Sequence, residues 1–220
     1  MKRYVSLEEI SDGKLYTARD MVKADCMGCK GCSKCCHGMG DTILLDPYDI
    51  YRWKKGLEKD LGTFLADGMV TLGVVDGVIL PHIQMSGEAE SCGFLNGEGR
   101  CTIHAFRPGI CRLFPLGRYY ENGAFRYFLQ KGECNGAKVK IKIEKWLETE
   151  NLSQYEEFIK TWHALILQAE ELPEGQEDAF RKNLNMFLLK KFYLTQYEAQ
   201  RSFYEQFDQR LQEYREIIPE

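Results

Sequence analysis

Five of the nine cysteines in this 220-residue chain fall within the eleven residues Cys26-Met27-Gly28-Cys29-Lys30-Gly31-Cys32-Ser33-Lys34-Cys35-Cys36. Thiolates at this spacing are metal ligands: in a Cys-x-x-Cys knuckle the chain folds back, two sulfurs reach one ion, and backbone N–H groups turn toward them. Gly28 and Gly31 each directly precede a cysteine, where the missing side chain eases the turn. Three overlapping knuckles and a Cys35–Cys36 doublet hold more thiols than one tetrahedral ion can use. The segment is therefore expected to work with other parts of the chain, with Cys26, the outermost cysteine, as the spare.

The other cysteines are Cys92, Cys101, Cys111 and Cys134. An odd total and a vicinal doublet argue against a disulfide framework. Thiolate-only ligand sets suit zinc and iron–sulfur clusters alike, both taking four sulfurs per site. Four thiolates around a divalent ion leave a net charge near -2, which Arg107 and Arg112 are placed in the sequence to offset, with N–H groups to donate to sulfur. The competing role for either arginine is an ordinary ion pair. Cys134 sits in a turn-like Gly132-Glu133-Cys134-Asn135-Gly136 loop suited to a ligand. His37 and His104 are expected beside the metal or in solvent rather than on it, and His82 and His163 as structural.

Taken in order, Cys29, Cys32, Cys35 and Cys36, then Cys92-Gly93-Phe94-Leu95, Cys101-Thr102-Ile103-His104 and Arg107-Pro108-Gly109-Ile110-Cys111-Arg112-Leu113-Phe114-Pro115, form a pattern. It resembles the YkgJ-like CxxCxxCC cysteine-cluster family, described as zinc- or iron-chelating domains. The resemblance runs from about residue 26 to 136. It leaves out Cys26 and the chain beyond about residue 140, and it implies an iron–sulfur or zinc centre on the clustered cysteines. A related domain occurs in flagellin lysine N-methylases, so the resemblance also offers methyl transfer from S-adenosylmethionine to protein lysine as an alternative.

These ligands need a scaffold that the local sequence partly specifies. Asp46-Pro47-Tyr48-Asp49 has the form of a helix start, with Ile50, Trp53 and Leu57 on the buried face. Short helices are expected at Ser6 to Ile10 and Asp60 to Ala66, and a short strand at Thr42 to Leu45. Asp76-Gly77 between two branched apolar runs predicts a hairpin over 69–85, because Asp-Gly supplies the positive φ angles of a two-residue turn. Asn96-Gly97-Glu98-Gly99 and Glu121-Asn122-Gly123 mark further turns. Beyond Ile141 helical spacing takes over. Ser153-Gln154-Tyr155-Glu156 reads as a capping box, Tyr155, Phe158, Ile159, Trp162, Leu165, Ile166 and Ala169 form one stripe, and Pro173-Glu174-Gly175 breaks the helix. Phe180, Leu184, Phe187, Leu188 and Phe192 face inward on a second helix. Tyr204, Phe207, Leu211, Tyr214 and Ile218 make a seam expected to pack on the chain's own helices rather than on a partner.

The expected class is α+β: a small, irregular, turn-rich metal-binding unit with β-hairpins over residues 1–140, then a helical region over 141–220. A formal charge of -4 gives no basic surplus for nucleic acid or an anionic membrane, and the apolar runs are too short to cross a bilayer. Charged residues in Met1 to Glu9 occupy the place of a signal peptide's apolar core, so the expected location is cytoplasmic, where thiols stay reduced and metal is favoured over disulfides. Phosphate loops, dinucleotide fingerprints, nucleophile elbows and the radical-SAM cysteine triplet are missing from the sequence. The expected function is metal binding with a redox role. The ligands are Cys29, Cys32, Cys35, Cys36, Cys92, Cys101, Cys111 and Cys134, with Arg107 and Arg112 beside them. The expected cofactor is a 4Fe-4S cluster, with zinc as the alternative. A third reading is a metal carrier or assembly factor that docks a protein partner through its C-terminal helices.

Overall fold

Asp46 begins the first substantial helix by the means its sequence suggests. In a computed structural model that describes residues 6–25, 32–134, 139–171 and 178–218, the Asp46 carboxylate accepts the Asp49 N–H at 2.9 Å while the Asp49 carboxylate accepts the Asp46 N–H at 3.2 Å. Before it lie a single helical turn, α1 (Leu7–Ile10), and a strand, β1 (Met21–Asp25). A 3-10 turn, Lys34–Cys36, precedes α2 (Pro47–Leu57), which buries Ile50, Tyr51 and Trp53, with Leu57 half-buried, and stops at Glu58 in the left-handed region. The Asp60 carboxylate caps α3 (Leu61–Ala66) by accepting the Thr63 N–H at 3.0 Å.

The two-residue turn Asp76-Gly77, with φ of 47° and 87°, joins β2 (Val70–Val75) to β3 (Val78–Ile83) as an antiparallel hairpin. A smaller pair, β4 (Met85–Ser86) and β5 (Ser91–Cys92), carries the first distant cysteine. A 3-10 turn, His104–Phe106, and α4 (Gly109–Leu113) follow. Asn122-Gly123 then turns β6 (Leu116–Glu121) into β7 (Ala124–Leu129). Strand β8 (Val139–Lys142) runs directly into α5 (Ile143–Trp146). The last part holds α6 (Leu152–Glu170), α7 (Asp178–Leu188), a π-helical continuation Leu189–Leu194, and α8 (Phe203–Arg215).

Two local expectations fail. Thr42 to Leu45 makes no full strand: Leu44 bridges His82, and the segment lies beside β3 through Leu45 N–H to Pro81 O (2.9 Å) and Ile83 N–H to Ile43 O (3.1 Å). Ser153 does not cap α6, because the helix is already under way at Leu152, with Asn151 in the left-handed region before it and no side-chain cap. The expected break at Pro173 to Gly175 lies outside the described residues.

The helical stripe is buried throughout: Tyr155, Phe158, Ile159, Trp162, Leu165, Ile166 and Ala169 all leave solvent, each large apolar side chain among them contributing about 1.5–3 kcal/mol by burial. Leu184, Leu188, Phe192, Phe207, Leu211 and Tyr214 are buried in the same core, with Phe180, Phe187, Tyr204 and Ile218 packed at its margin. That core continues without a break into Ile43, Trp53, Phe64, Leu80, Phe94 and Ile103. Side chains bind the two parts by their backbones too: the Tyr193 hydroxyl donates to Leu45 O at 2.9 Å, and Asn185 accepts the Ile79 N–H at 2.7 Å while donating to Gly77 O at 3.0 Å. A second, smaller core gathers Val22, Ala24, Leu113, Leu116, Tyr127, Ile143 and Trp146 beneath the pair formed by β1 and β8.

Candidate metal centre

Four separate stretches of chain meet at one cavity, lined by Cys32, Cys35, Cys36, Cys92, Cys101 and Cys111. Apolar Ile43, Ile83, Met85, Phe94 and Ile103 form its inner wall, and Arg100, His104 and Arg107 stand on another side. Its volume is ≈60 Å³, far below the roughly 300–1,000 Å³ of pockets that take organic ligands. The space suits an inorganic centre.

Each thiol reaches the cavity by a local device. Cys35 and Cys36 ride on the Lys34–Cys36 turn, closed by Cys36 N–H to Ser33 O at 2.8 Å. His37 straps this turn to β5: its Nδ1 lies 3.0 Å from the Ser91 hydroxyl and its Nε2 3.3 Å from that of Ser33. At Cys92 and Cys101 the chain turns sharply, so that the N–H of Phe94 points at the Cys92 sulfur and that of Ile103 at the Cys101 sulfur. This is the knuckle arrangement expected of a metal-binding thiolate. The Asn96 to Gly99 turn pairs Leu95 with Cys101 and so sets the two knuckles side by side.

Cys111 enters from α4, whose first N–H, at Gly109, donates to the buried Asp49 carboxylate at 2.8 Å. Gly109 has to be glycine, since a Cβ there would run into the Tyr155 hydroxyl. Between Cys101 and Cys111 the chain is gripped by its carbonyls. Arg52 donates to Ala105 O (2.7 Å) and Arg107 O (3.1 Å), and the Trp53 indole N–H to Phe106 O (2.9 Å). The sequence points to Trp53 as a core residue only; its indole N–H, which needs an acceptor when buried, was the available signal of this second role.

The thiols are electrostatically one group. A hydrogen bond from Cys36 brings the Cys35 thiol down to about 6, helped by the charges of Arg107 and His37, and the same bond together with burial holds the proton on Cys36. Burial pushes Cys92 and Cys101 up, and Cys111 well up, and the charge of Cys35 adds to the rise in all three. Sulfurs that resist joint ionisation in a dry cavity are stabilised by a shared cation, which takes the place of their protons.

The two arginines part company. Arg107 lines the cavity; its Nη1 lies 3.1 Å from His104 Nε2 and its Nη2 3.6 Å from Glu148 Oε2. Arg112, next to Cys111, is buried and turned to the other side. Its guanidinium lies 5.7 Å from the Tyr155 ring and 6.0 Å from that of Tyr48. Burial works against its charge, and Tyr155, Asp49 and Asp46 more than offset that. Arg112 also donates to Arg107 O at 3.1 Å.

Cys134 does not line the cavity. Its loop is drawn toward the cysteine turn from outside, through Lys34 Nζ to Gly132 O at 2.9 Å and a Lys34–Glu133 ion pair at 3.7 Å. Cys26 and Cys29 lie outside the described residues. His104 borders the cavity with Arg107 at its Nε2. His82 is buried in β3, and His163 stacks on Tyr120 with ring centroids 3.6 Å apart. Among the described residues, no three Cys, His, Asp or Glu side chains already converge as a finished ligand set, and no helix is long and apolar enough to cross a membrane.

Paired knuckles, a thiol doublet and a further thiol from a helix, all opening on one small cavity, define a thiolate metal-chelating domain. Residues 28–135 match the model of the CxxCxxCC family, described as a putative zinc- or iron-chelating domain, and that stretch is similar to this family. No curated protein and no solved structure matches the chain.

Proposed function

We propose that the cavity holds an iron–sulfur cluster of the 4Fe-4S type and that the protein has a redox role. The observation that carries this reading is the number of thiols at one small, largely apolar cavity: six from four stretches of chain, where a single zinc takes four. Cys35, Cys92, Cys101 and Cys111 are the proposed ligands, one from each of the four stretches of chain that line the cavity. Cys32 and Cys36 stand next to them, and Cys29 and Cys134 remain candidates by sequence. The donor set fits the group: soft thiolates suit iron and sulfide, and the N–H groups of Phe94 and Ile103 already meet two of the sulfurs.

A bound cluster supplies one-electron exchange. The chain's own part is to orient the sulfurs through the Phe94 and Ile103 amides and to keep water off them with Ile43, Ile83, Met85 and Ile103. The apolar seams of α6, α7 and α8 are turned onto the chain's own core, which favours this reading over docking of a partner through the tail. Purification without oxygen tests the proposal: brown protein with iron and acid-labile sulfide in equal amounts is expected, and colourless protein with stoichiometric zinc overturns it.

A further inference from the structure

Arg107 and Glu148 form an ion pair at the rim of the cysteine cavity. We propose that this pair sets how tightly the thiolate centre is held, with Arg107 shared between the sulfurs and Glu148. The inference rests on the reading of the cavity as a metal centre.

Three features of Arg107 point this way. Its side chain is only 12 % exposed, against 63 % for Glu148. Two of its nitrogens face outward, Nη1 to His104 and Nη2 to Glu148, while its Nε is buried and, among the described residues, has no hydrogen-bond partner. A buried N–H without an acceptor is rare in folded proteins, and this one belongs to a side chain that lines the thiol cavity and whose charge draws down the proton affinity of Cys35 and Cys101. Finally, the residue is fixed from behind, since its carbonyl accepts from both Arg52 and Arg112 at 3.1 Å.

Glu148 adds the opposing half. Its φ is 48°, in the left-handed region that glycine and asparagine occupy more easily than glutamate. An acid is thus held at a backbone position that disfavours it, facing an arginine of the cavity whose charge Cys35 and Cys101 feel. A centre of four thiolates and a divalent ion is net negative. Arg107 offsets that charge, and Glu148 draws part of the offset away.

The two halves therefore act with opposite sign, which an ordinary structural ion pair would not do. The test uses the full-length protein with zinc alone as probe, because a four-thiolate zinc site carries the same negative charge and exchanges reversibly. Affinity is measured by competition with a chelator, alongside the melting temperature of each metal-free form. Arg107→Gln should bind zinc about 10–100-fold more weakly, the usual range for loss of a partner behind the ligands. Arg107→Lys should fall between, since it keeps the charge without the planar donor edge. Glu148→Gln should bind more tightly, by no more than about fivefold for so exposed a pair. Metal-free melting temperatures should stay close to wild type. Equal zinc affinity in wild type and Arg107→Gln overturns the proposal, as does weakening by both substitutions. Failure of the wild type to bind zinc overturns this inference alone, because the metal-centre reading is decided separately by iron and acid-labile sulfide in the protein purified without oxygen.

Discussion

Around Phe158 the ring of Phe207 stands edge-on at 4.8 Å and that of Phe203 at 4.9 Å, and Trp162 and Phe192 fill the space beyond. Around Cys35 the neighbours are thiols whose charges oppose one another. The first region is finished by its own side chains, each ring satisfying the next. The second is assembled with equal care, through amides aimed at sulfur and carbonyls gripped from behind, yet its electrostatics close only around a cation. One region secures the fold, and the other depends on that fold to bring reactive groups together before their counter-charge arrives.

The sharpest way to break this comparison is to remove the helical side. A chain ending after Leu147 loses α6 to α8 and with them the cover over Ile43, Trp53 and Phe64. It should show no cooperative thermal transition by circular dichroism and no metal uptake; a cooperative melt with bound metal would show that the cavity stands alone. Next comes Phe192→Ala, at a fully buried ring, expected to cost about 3–5 kcal/mol. The loss in a denaturant titration should be the same with and without metal if the two regions are energetically distinct.

Cys101→Ser should do the reverse. The metal-free protein should lose little, while the metal-induced gain, about 2.7 kcal/mol when free metal is a hundredfold above its dissociation constant, should disappear. A retained gain would remove Cys101 from the ligand set. Acidity gives a smaller effect. Cys92, Cys101 and Cys111 have thiol proton affinities raised by burial, so near neutral pH metal must displace their protons. Affinity should therefore rise with pH, by about 1.4 kcal/mol per pH unit for each proton released. A flat profile by chelator competition would mean the thiols enter already ionised. The smallest effect belongs to Lys34→Ala. It removes a half-exposed ion pair to Glu133 and should change the melting free energy by less than about 1 kcal/mol; loss of metal in that variant would bring Cys134 into the centre.

The sequence disclosed most where structure is local. The α6 stripe is buried residue for residue, because seven apolar side chains at steps of three and four leave a helix one way to face. Asp76-Gly77 and Asn122-Gly123 turn where expected, because positive φ angles admit few residue types. The pairing of Met21–Asp25 with Val139–Lys142 has no local signature, as both strands are short and more than a hundred residues separate them. At the site, cysteine spacing and order carried the convergence of six thiols. The divergence of Arg107 and Arg112 was hidden for a geometric reason: Cys111 and Arg112 are neighbours on a helix, where successive side chains point about 100° apart, so adjacency to Cys111 turned Arg112 away from the cavity. Cys134 lies in a loop with the right composition, which Lys34 ties to the cysteine turn through Gly132 and Glu133, and it is not among the side chains that line the cavity.

The grip on Ala105, Phe106 and Arg107 falls on main-chain oxygens, which every residue type possesses. Arg52 and Trp53 therefore fix the path from Cys101 to Cys111 whatever side chain position 105 carries. That position can be rewritten while the sulfurs on either side keep their places, which makes it a natural point for attaching a spectroscopic label or for grafting a new group beside the centre.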